Sequence, residues 1–350
     1  MPWIIDTPSP PRDGVRLARA RSCPERPIVR PSGEPGGIGP EVAVGAASSP
    51  DVCSICAPIL IGARAPVEKA VRMLKIPWTI RCIAAPEESR PGGGFLELIE
   101  TVPDEACVFK RGAPTAEGGK ASYEYIKKAA ALAMQGKVAA ICTAPISKEA
   151  LGMAGVKYPG HTEMLARFTG TSEFAMMLTG GHLRVLLVTT HTAIKNVPRL
   201  IRKEAVAGKI MLAVRAARML GIKRPRIAVC GLNPHAGEAG LFGSEEIEQI
   251  GPAVREARDK GIRVQGPVAP DALFRKAYTG QVDIVVAMYH DQGLIPLKMV
   301  AFEKGVNVTV GLPIIRTSPD HGTAYDIAWK GKADPASMIE AMKMALTLRL

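Results

Sequence analysis

The chain of 350 residues is poor in aromatics, which make up 5% of it, although 47% of its residues are hydrophobic. Its apolar runs all fall short of the roughly 20 residues needed to cross a bilayer, which argues against a membrane-spanning protein. The N-terminus lacks a charged start followed by an apolar stretch, so no secretory signal is expected. Charge is not segregated by sign. The net charge is +12, yet Asp and Glu lie among the Lys and Arg residues and no basic stripe interleaved with aromatics stands out. That pattern disfavours nucleic-acid binding and suits an enzyme that draws in anionic phosphorylated metabolites. A Walker loop and a GxGxxG fingerprint are also missing.

Cysteine occurs in an odd number, at Cys23, Cys53, Cys56, Cys82, Cys107, Cys142 and Cys230. Seven thiols spread through a long chain point to free cysteines in a reducing compartment, hence to the cytoplasm. Cys53 and Cys56 form one CxxC, which reads as a redox pair or as half a zinc site, but no second CxxC or nearby His completes it. Cys142 and Cys230 sit inside apolar runs and read as small core residues.

Residues 1–27, rich in Pro and Arg, read as a disordered tail. Beyond them, helix and strand patterns alternate without an internal repeat, which predicts an α/β fold. The pattern predicts a helix over Ser122–Gln135 and a second over Lys203–Leu220, with Gly221 past its end. Ser244 reads as an N-cap, followed by Glu245 and Glu246, of a helix that ends near Gly261. The expected division is a first α/β domain of residues 28–150 plus 300–350 and a second of residues 151–299.

Three histidines share one local setting, an apolar strand-like run followed by His: LRVLLVTTH ends at His191, RIAVCGLNPH at His235 and DIVVAMYH at His290. Open α/β sheets bind ligands beyond the carboxyl ends of their strands. Three imidazoles delivered there would hold a divalent metal and leave positions open for substrate. Taken singly, each is more often a structural or exposed residue; the repeated setting favours the joint reading. Glu238 and Asp291 stand where they can orient these rings, whereas His182 reads as a surface turn residue.

Other polar clusters follow the same logic. GEPGGIGPEV, from Gly33 to Val42, reads as a strand-to-helix turn with Pro40 and Glu41 at the helix start. TAPISKEAL places Thr143, Ser147 and Lys148 at a strand end. GHTEML gathers His161, Thr162 and Glu163, as an anion site, as a helix start with Thr162 as cap, or as both. Lys298 and Arg316 can neutralise an anion. The loop at Asp320, His321, Gly322 and Thr323 can take a nucleotide. Solvated surface charge is the ordinary alternative for the Lys and Arg residues.

GEPGGIGPEV, TAPISKEAL, GHTEML, VTTH, GLNPHAGE, AMYHDQGLIPLK, GVNVTVGLP and RTSPDHGTAYDIA occur together and in this order. By them the chain resembles the 4-hydroxythreonine-4-phosphate dehydrogenase family of pyridoxal-phosphate biosynthesis, from about residue 28 to the C-terminus. The resemblance implies an isopropylmalate-dehydrogenase-like fold, two α/β domains around a central cleft, and a homodimer that shares its active sites. It implies metal ligation by His191, His235 and His290, with Zn, Co, Mg, Mn, Ni or Fe. Substrate contacts fall on His161, Thr162, Lys298, Asn307 and Arg316, and NAD or NADP falls on Asp320, His321, Gly322 and Thr323.

The reaction implied is oxidation of 4-phosphooxy-L-threonine at C3 and decarboxylation to 3-amino-2-oxopropyl phosphate, with Lys298 or a water ordered by Asp271 relaying the proton. Glu34, Ser147 and Trp329 depart from the usual family pattern (Asp, Asn and Gly). They bring in 4-phospho-D-threonate or 4-phospho-D-erythronate as alternative substrates. Phosphate acyl transfer and nucleic-acid binding remain as readings of other classes.

Overall fold

The computed structural model describes residues 27–350 apart from 108 and 303, so nearly all of the expected tail lies outside the described residues. Its centre is one sheet of twelve strands. In chain order these are β1 Ile28–Pro31, β2 Pro58–Gly62, β3 Thr79–Cys82, β4 Phe95–Glu100, β5 Ala140–Cys142 and β6 Ala175–Gly180. They continue with β7 Leu183–Leu187, β8 Ile227–Cys230, β9 Val264–Val268, β10 Ile284–Ala287, β11 Val306–Val310 and β12 Arg316–Pro319.

The order across the sheet is β3-β4-β2-β1-β5-β12-β11-β6-β7-β10-β8-β9. From β3 to β12 neighbours run parallel, as they do again from β7 to β9, whereas β12, β11, β6 and β7 pair antiparallel. Parallel neighbours need crossover connections, and helices supply them. Strands covered on both faces read as continuous apolar runs, as in IAVC and IVVA. This is the α/β architecture that the sequence leads one to expect.

Packing differs on the two faces, and the difference creates the cleft. One face carries a single apolar cluster along its whole width, joining Val42, Val67, Val206, Ile210, Val254 and Met338 to strand residues such as Leu60, Val308 and Val286. On the other face the core is split. Tyr125, Ile126, Leu151 and Met164 cover Val29, Ile59 and Ile141. Separately, Leu273, Leu294 and Leu297 cover Leu178, Val185 and Ala287. Between these two blocks lie the antiparallel strands.

Strand alternation explains the gap. In β11, Val306, Val308 and Val310 point into the continuous core, leaving Asn307 and Thr309 for the other face. The register pairs Asn307 with Ser318 of β12, and Val308 with Thr317. Thr317 turns to the covered side and donates to Ala341 O at 2.8 Å, so Arg316 and Ser318 turn to the uncovered side. Polar residues at every second position keep that stretch of sheet from being roofed by an apolar helix.

Helix boundaries follow local chemistry with some differences. The helix expected from Ser122 begins at Ala116, because Thr115 caps it by accepting from Gly118 N at 3.0 Å. Lys203–Met219 is found as expected, with Gly221 at φ 78° beyond it. Ser147 caps Lys148–Met153, accepting from Ala150 N at 3.1 Å. Thr162 is not a cap, since the helix His161–Phe168 starts one residue earlier, after Gly160. The Ser244 side chain caps nothing. A π-type turn, Glu246–Ile250, precedes the helix Gly251–Asp259 because Glu246 is drawn towards a neighbouring loop.

Candidate active site

The open stretch of sheet floors a cavity of about 680 Å³. Its walls come from the segments after β5, β7, β10 and β12 and from the start of helix His161–Phe168. A cavity of this size accommodates a small phosphorylated metabolite together with part of a cofactor.

Arg316 dominates the floor and is 2% exposed. Its Nη2 and Nε donate to Thr143 Oγ1 at 2.7 and 3.2 Å, and its Nη1 donates to Thr309 Oγ1 at 3.0 Å. Among the described residues no carboxylate lies within ion-pairing distance of it. Burial lowers its pKa to about 10, which leaves it cationic at neutral pH. The Glu163 charge works the other way without pairing with it, and a buried cation that lacks an ion-paired carboxylate favours an anionic ligand.

His161 stands beside it. Its Nε2 is buried without a partner, and its pKa lies well below the usual value, through burial first and the Arg316 charge second. The ring is therefore neutral. Asn307 Oδ1 is likewise buried and unpartnered at the cavity floor. Thr162, Glu163, Lys148 and Lys209 line the same cavity. Lys209 reaches in from helix Lys203–Met219 and donates to Phe174 O at 2.6 Å.

His191 and His290 meet in the same lining, with ring centroids 5.6 Å apart. His290 opens a helix, His290–Ala301, rather than a loop, and its Nδ1 lies 2.7 Å from Asp291 Oδ1. With Nδ1 engaged by Asp291, Nε2 is the nitrogen left to face a ligand. Burial, then the charges of Lys148 and His290, lower the His191 pKa, so it too favours the neutral form that binds metal. Two imidazoles held by metal–nitrogen bonds of roughly 2.0–2.1 Å have centroids about 5 Å apart, and this pair fits. The same two residues, with Ile194, Val197 and Tyr289, also line a second recess of about 300 Å³.

His235 is elsewhere. It is exposed, lines neither recess, and contacts Phe242 with a centroid distance of 6.4 Å. Among the described residues no three His, Cys, Asp or Glu side chains form a group that could hold a metal ion. Within one chain, then, two of the three expected ligands converge and the third does not. Its loop is unusual. From His235 to Ala239 every φ is positive (53°, 56°, 83°, 41° and 56°), a left-handed turn in which only Gly237 is a glycine. L-residues disfavour that region by roughly 1–2 kcal/mol each, so surrounding contacts must impose it.

The loop after β12 forms the remaining wall through residues 320–322, and Thr323 lies outside the lining. Asp320, His321 and Gly322 line the cavity, and His321 Nε2 is buried without a partner. Asp320 pairs with Lys298 Nζ at 3.2 Å. Thr323 O accepts from Ile38 N at 2.9 Å, and Trp329 Nε1 donates to Pro35 O at 2.9 Å, so the turn after β1 buttresses this loop. The orphaned imidazole nitrogen and exposed glycine backbone fit a nucleotide ligand. Asp271, in contrast, is exposed on the first turn of helix Pro270–Tyr278 and is not in the cavity lining, nor is Glu238. Sequence reasoning missed Thr309, Ser318 and Lys209. The first two were signalled by polar residues at alternate positions of β11 and β12; Lys209 carried no signal.

Fold and cleft together define an α/β protein with a buried cationic floor and a histidine pair at the mouth of one recess. The model of the family described as pyridoxal phosphate biosynthetic protein PdxA matches residues 54–345, and the chain belongs to that family. It is 47% identical over 322 residues to a 4-hydroxythreonine-4-phosphate dehydrogenase of Desulforapulum autotrophicum, covering 91% of this chain and 95% of that protein. It is 48% identical over 319 residues to a D-threonate 4-phosphate dehydrogenase of Cupriavidus necator, covering 90% and 95%. The crystal structure of 4-hydroxythreonine-4-phosphate dehydrogenase from Klebsiella pneumoniae superposes with a TM-score of 0.84 at 41% identity, covering 92% of this chain and 98% of the other.

Proposed function

We propose that the chain is a metal-dependent, NAD(P)-linked dehydrogenase that oxidises 4-phosphooxy-L-threonine at C3 and decarboxylates the product to 3-amino-2-oxopropyl phosphate, in pyridoxal 5'-phosphate biosynthesis. The observation that carries this reading is Arg316, a buried cation that no carboxylate pairs with among the described residues, facing a cavity of metabolite size. Such a group calls for an anionic ligand, and bidentate Arg recognition suits a carboxylate or phosphate.

Each residue has a role that its surroundings permit. Arg316 and Lys209 hold the anionic groups, neutral His161 shares a hydrogen bond with a substrate oxygen, and Asn307 Oδ1 accepts from a substrate donor. His191, His290 and a third imidazole hold the cation; Asp320, His321, Gly322 and Thr323 hold the dinucleotide. When bound, the cation supplies Lewis acidity and NAD(P) supplies the hydride acceptor. The C3 hydroxyl loses a proton and a hydride to become a ketone. The carboxylate then leaves as CO2, and its bonding pair is protonated at carbon. Lys298 lies outside the cavity lining but pairs with Asp320, which lines it, and is our choice of proton carrier within this chain. Asp271 is exposed and would act only across a subunit boundary.

The assembly we read is a homodimer with shared sites. Helix His290–Ala301 and the residue after it present Ile295, Met299 and Phe302, exposed by 59%, 82% and 77%, four and three residues apart on one face. A stripe of that kind needs a partner. His235 projects from its own chain beside exposed Leu241 and Phe242. A second copy would thus deliver His235 to the His191–His290 pair.

The second reading replaces the substrate by 4-phospho-D-threonate or 4-phospho-D-erythronate, which carry a hydroxyl where the amino acid carries an ammonium at C2. Ser147 and the comparable identities to relatives of both names favour keeping it. Formation of NADH and NADPH by purified protein with each acid, with and without chelator, tests both. Turnover of the amino acid substrate that a chelator abolishes is expected. Turnover of the hydroxy acids alone would move the assignment to the second reading, and no turnover of any would sink both. In this proposal the enzyme works in the cytoplasm, a reading supported by the odd number of cysteines spread along the chain. No helix among the described residues is long and apolar enough to cross a membrane.

A further inference from the structure

We infer that Glu246 is the positioning residue for His235: its buried carboxylate imposes the left-handed turn that presents this imidazole outward. The inference rests on His235 being a metal ligand, as proposed above.

Glu246 is 4% exposed, and no cation pairs with it among the described residues. Its acceptor capacity goes instead to one short segment. Oε1 accepts from Leu232 N at 2.7 Å and Asn233 N at 2.8 Å, and Oε2 accepts from Asn233 Nδ2 at 2.9 Å. The same carboxylate packs against the middle of the turn, where a Cβ on Gly237 would come within 2.7 Å of Oε2. Three donors fix where the chain enters the turn, and the carboxylate leaves no room for a side chain at 237.

Two further observations place this arrangement in the service of His235. Among the described residues seven non-glycine residues have positive φ, and four of them are His235, Ala236, Glu238 and Ala239. Strain concentrated in this way marks segments whose conformation is used. Gln292 ties the same loop to the other histidines: its Nε2 donates to Gly231 O at 2.8 Å, and its Oε1 accepts from Met288 N at 2.7 Å, two residues before His290. The frame that holds His235 is therefore bonded to the frame that holds His290. Glu246 also opens the π-type turn Glu246–Ile250, a feature that recurs at functional sites.

The test is a double-mutant cycle read by zinc affinity, measured on the full-length assembled protein by competition with a chromophoric chelator. His235→Ala should weaken zinc binding. Glu246→Ala should weaken it roughly 10- to 100-fold, the range seen when residues that orient metal ligands are removed. Glu246→Gln, which keeps one oxygen for the two backbone donors, should recover most of that loss. The pair His235→Ala/Glu246→Ala should bind no worse than His235→Ala alone, since Glu246 acts only through His235. If Glu246→Ala does not fold, Asn233→Ala replaces it and should weaken zinc binding roughly 10-fold, the lower end of the same range, again with no added loss beside His235→Ala. Unchanged affinity in the folded Glu246 or Asn233 variant, or losses that add in the cycle, would overturn the inference and leave the ligand assignment standing. Unchanged affinity in His235→Ala would instead remove the assignment, and the inference with it.

Discussion

Arg316 and Thr143 stand 173 residues apart in the chain, yet Thr143 Oγ1 accepts two N–H bonds from the Arg316 guanidinium, at 2.7 and 3.2 Å. The hydroxyl is a neutral acceptor, so it orients the cation without cancelling its charge. That leaves the charge for whatever enters the cavity. Replacing Arg316 by Met should lower kcat/KM by roughly 10- to 150-fold, equivalent to the 1.5–3 kcal/mol of a hydrogen bond to a charged group. The melting temperature should hold or rise, because a buried charge with no ion-paired carboxylate is removed. A large loss of stability with intact kcat/KM would show the residue to be structural.

Thr143→Val keeps the shape of the side chain and deletes the acceptor. Two guanidinium donors then lack a partner, which costs about 1–3 kcal/mol. The urea midpoint should fall with an unchanged slope, and Thr143→Ser should restore it. Equal midpoints for Val and Ser would mean that the hydroxyl carries no weight.

The depressed pKa of His161 predicts a pH effect on stability. In the unfolded chain the ring takes up a proton near its ordinary value of about 6.5; in the fold, burial and Arg316 resist it. The unfolded state therefore binds more protons as pH falls below that value, and stability drops with falling pH until the lower folded pKa is passed. Thermal unfolding from pH 7.5 to 5 should show a smaller decline in His161→Asn than in the parent. Parallel curves would count against a buried neutral ring.

Met299 and Phe302, 82% and 77% exposed, are the places to break the proposed dimer. Met299→Glu together with Phe302→Glu should yield a folded monomer by light scattering, because two charges make burial of that stripe unfavourable. Turnover should vanish although neither residue lines the cavity. A fully active monomer would show that each site is complete within one chain.

Asp291 orients His290 through the 2.7 Å contact at Nδ1. Asp291→Asn should weaken zinc binding by roughly 10-fold, the lower end of the range for partners of ligating histidines. Unaltered zinc affinity would mean that the ring is held by packing alone.

Local chemistry wrote much of this molecule legibly. Apolar runs announced β7, β8 and β10 and the histidines that follow them, Gly221 marked the end of helix Lys203–Met219, and Ser147 began Lys148–Met153 as a cap. These features depend on neighbours within a turn or a strand, so periodicity and capping rules suffice to find them. Tertiary structure alone decided the rest. β11 and β12 come late in the chain but lie at the centre of the sheet, and this insertion sets Arg316 against Thr143 and opens the cleft. Glu246, which by position opens a helix, turns instead to a loop 13 residues away. His235, alike in setting to His191 and His290, is left outside their recess. Sequence spacing fixes which residues follow a strand, but the order in which strands assemble fixes which of those residues meet.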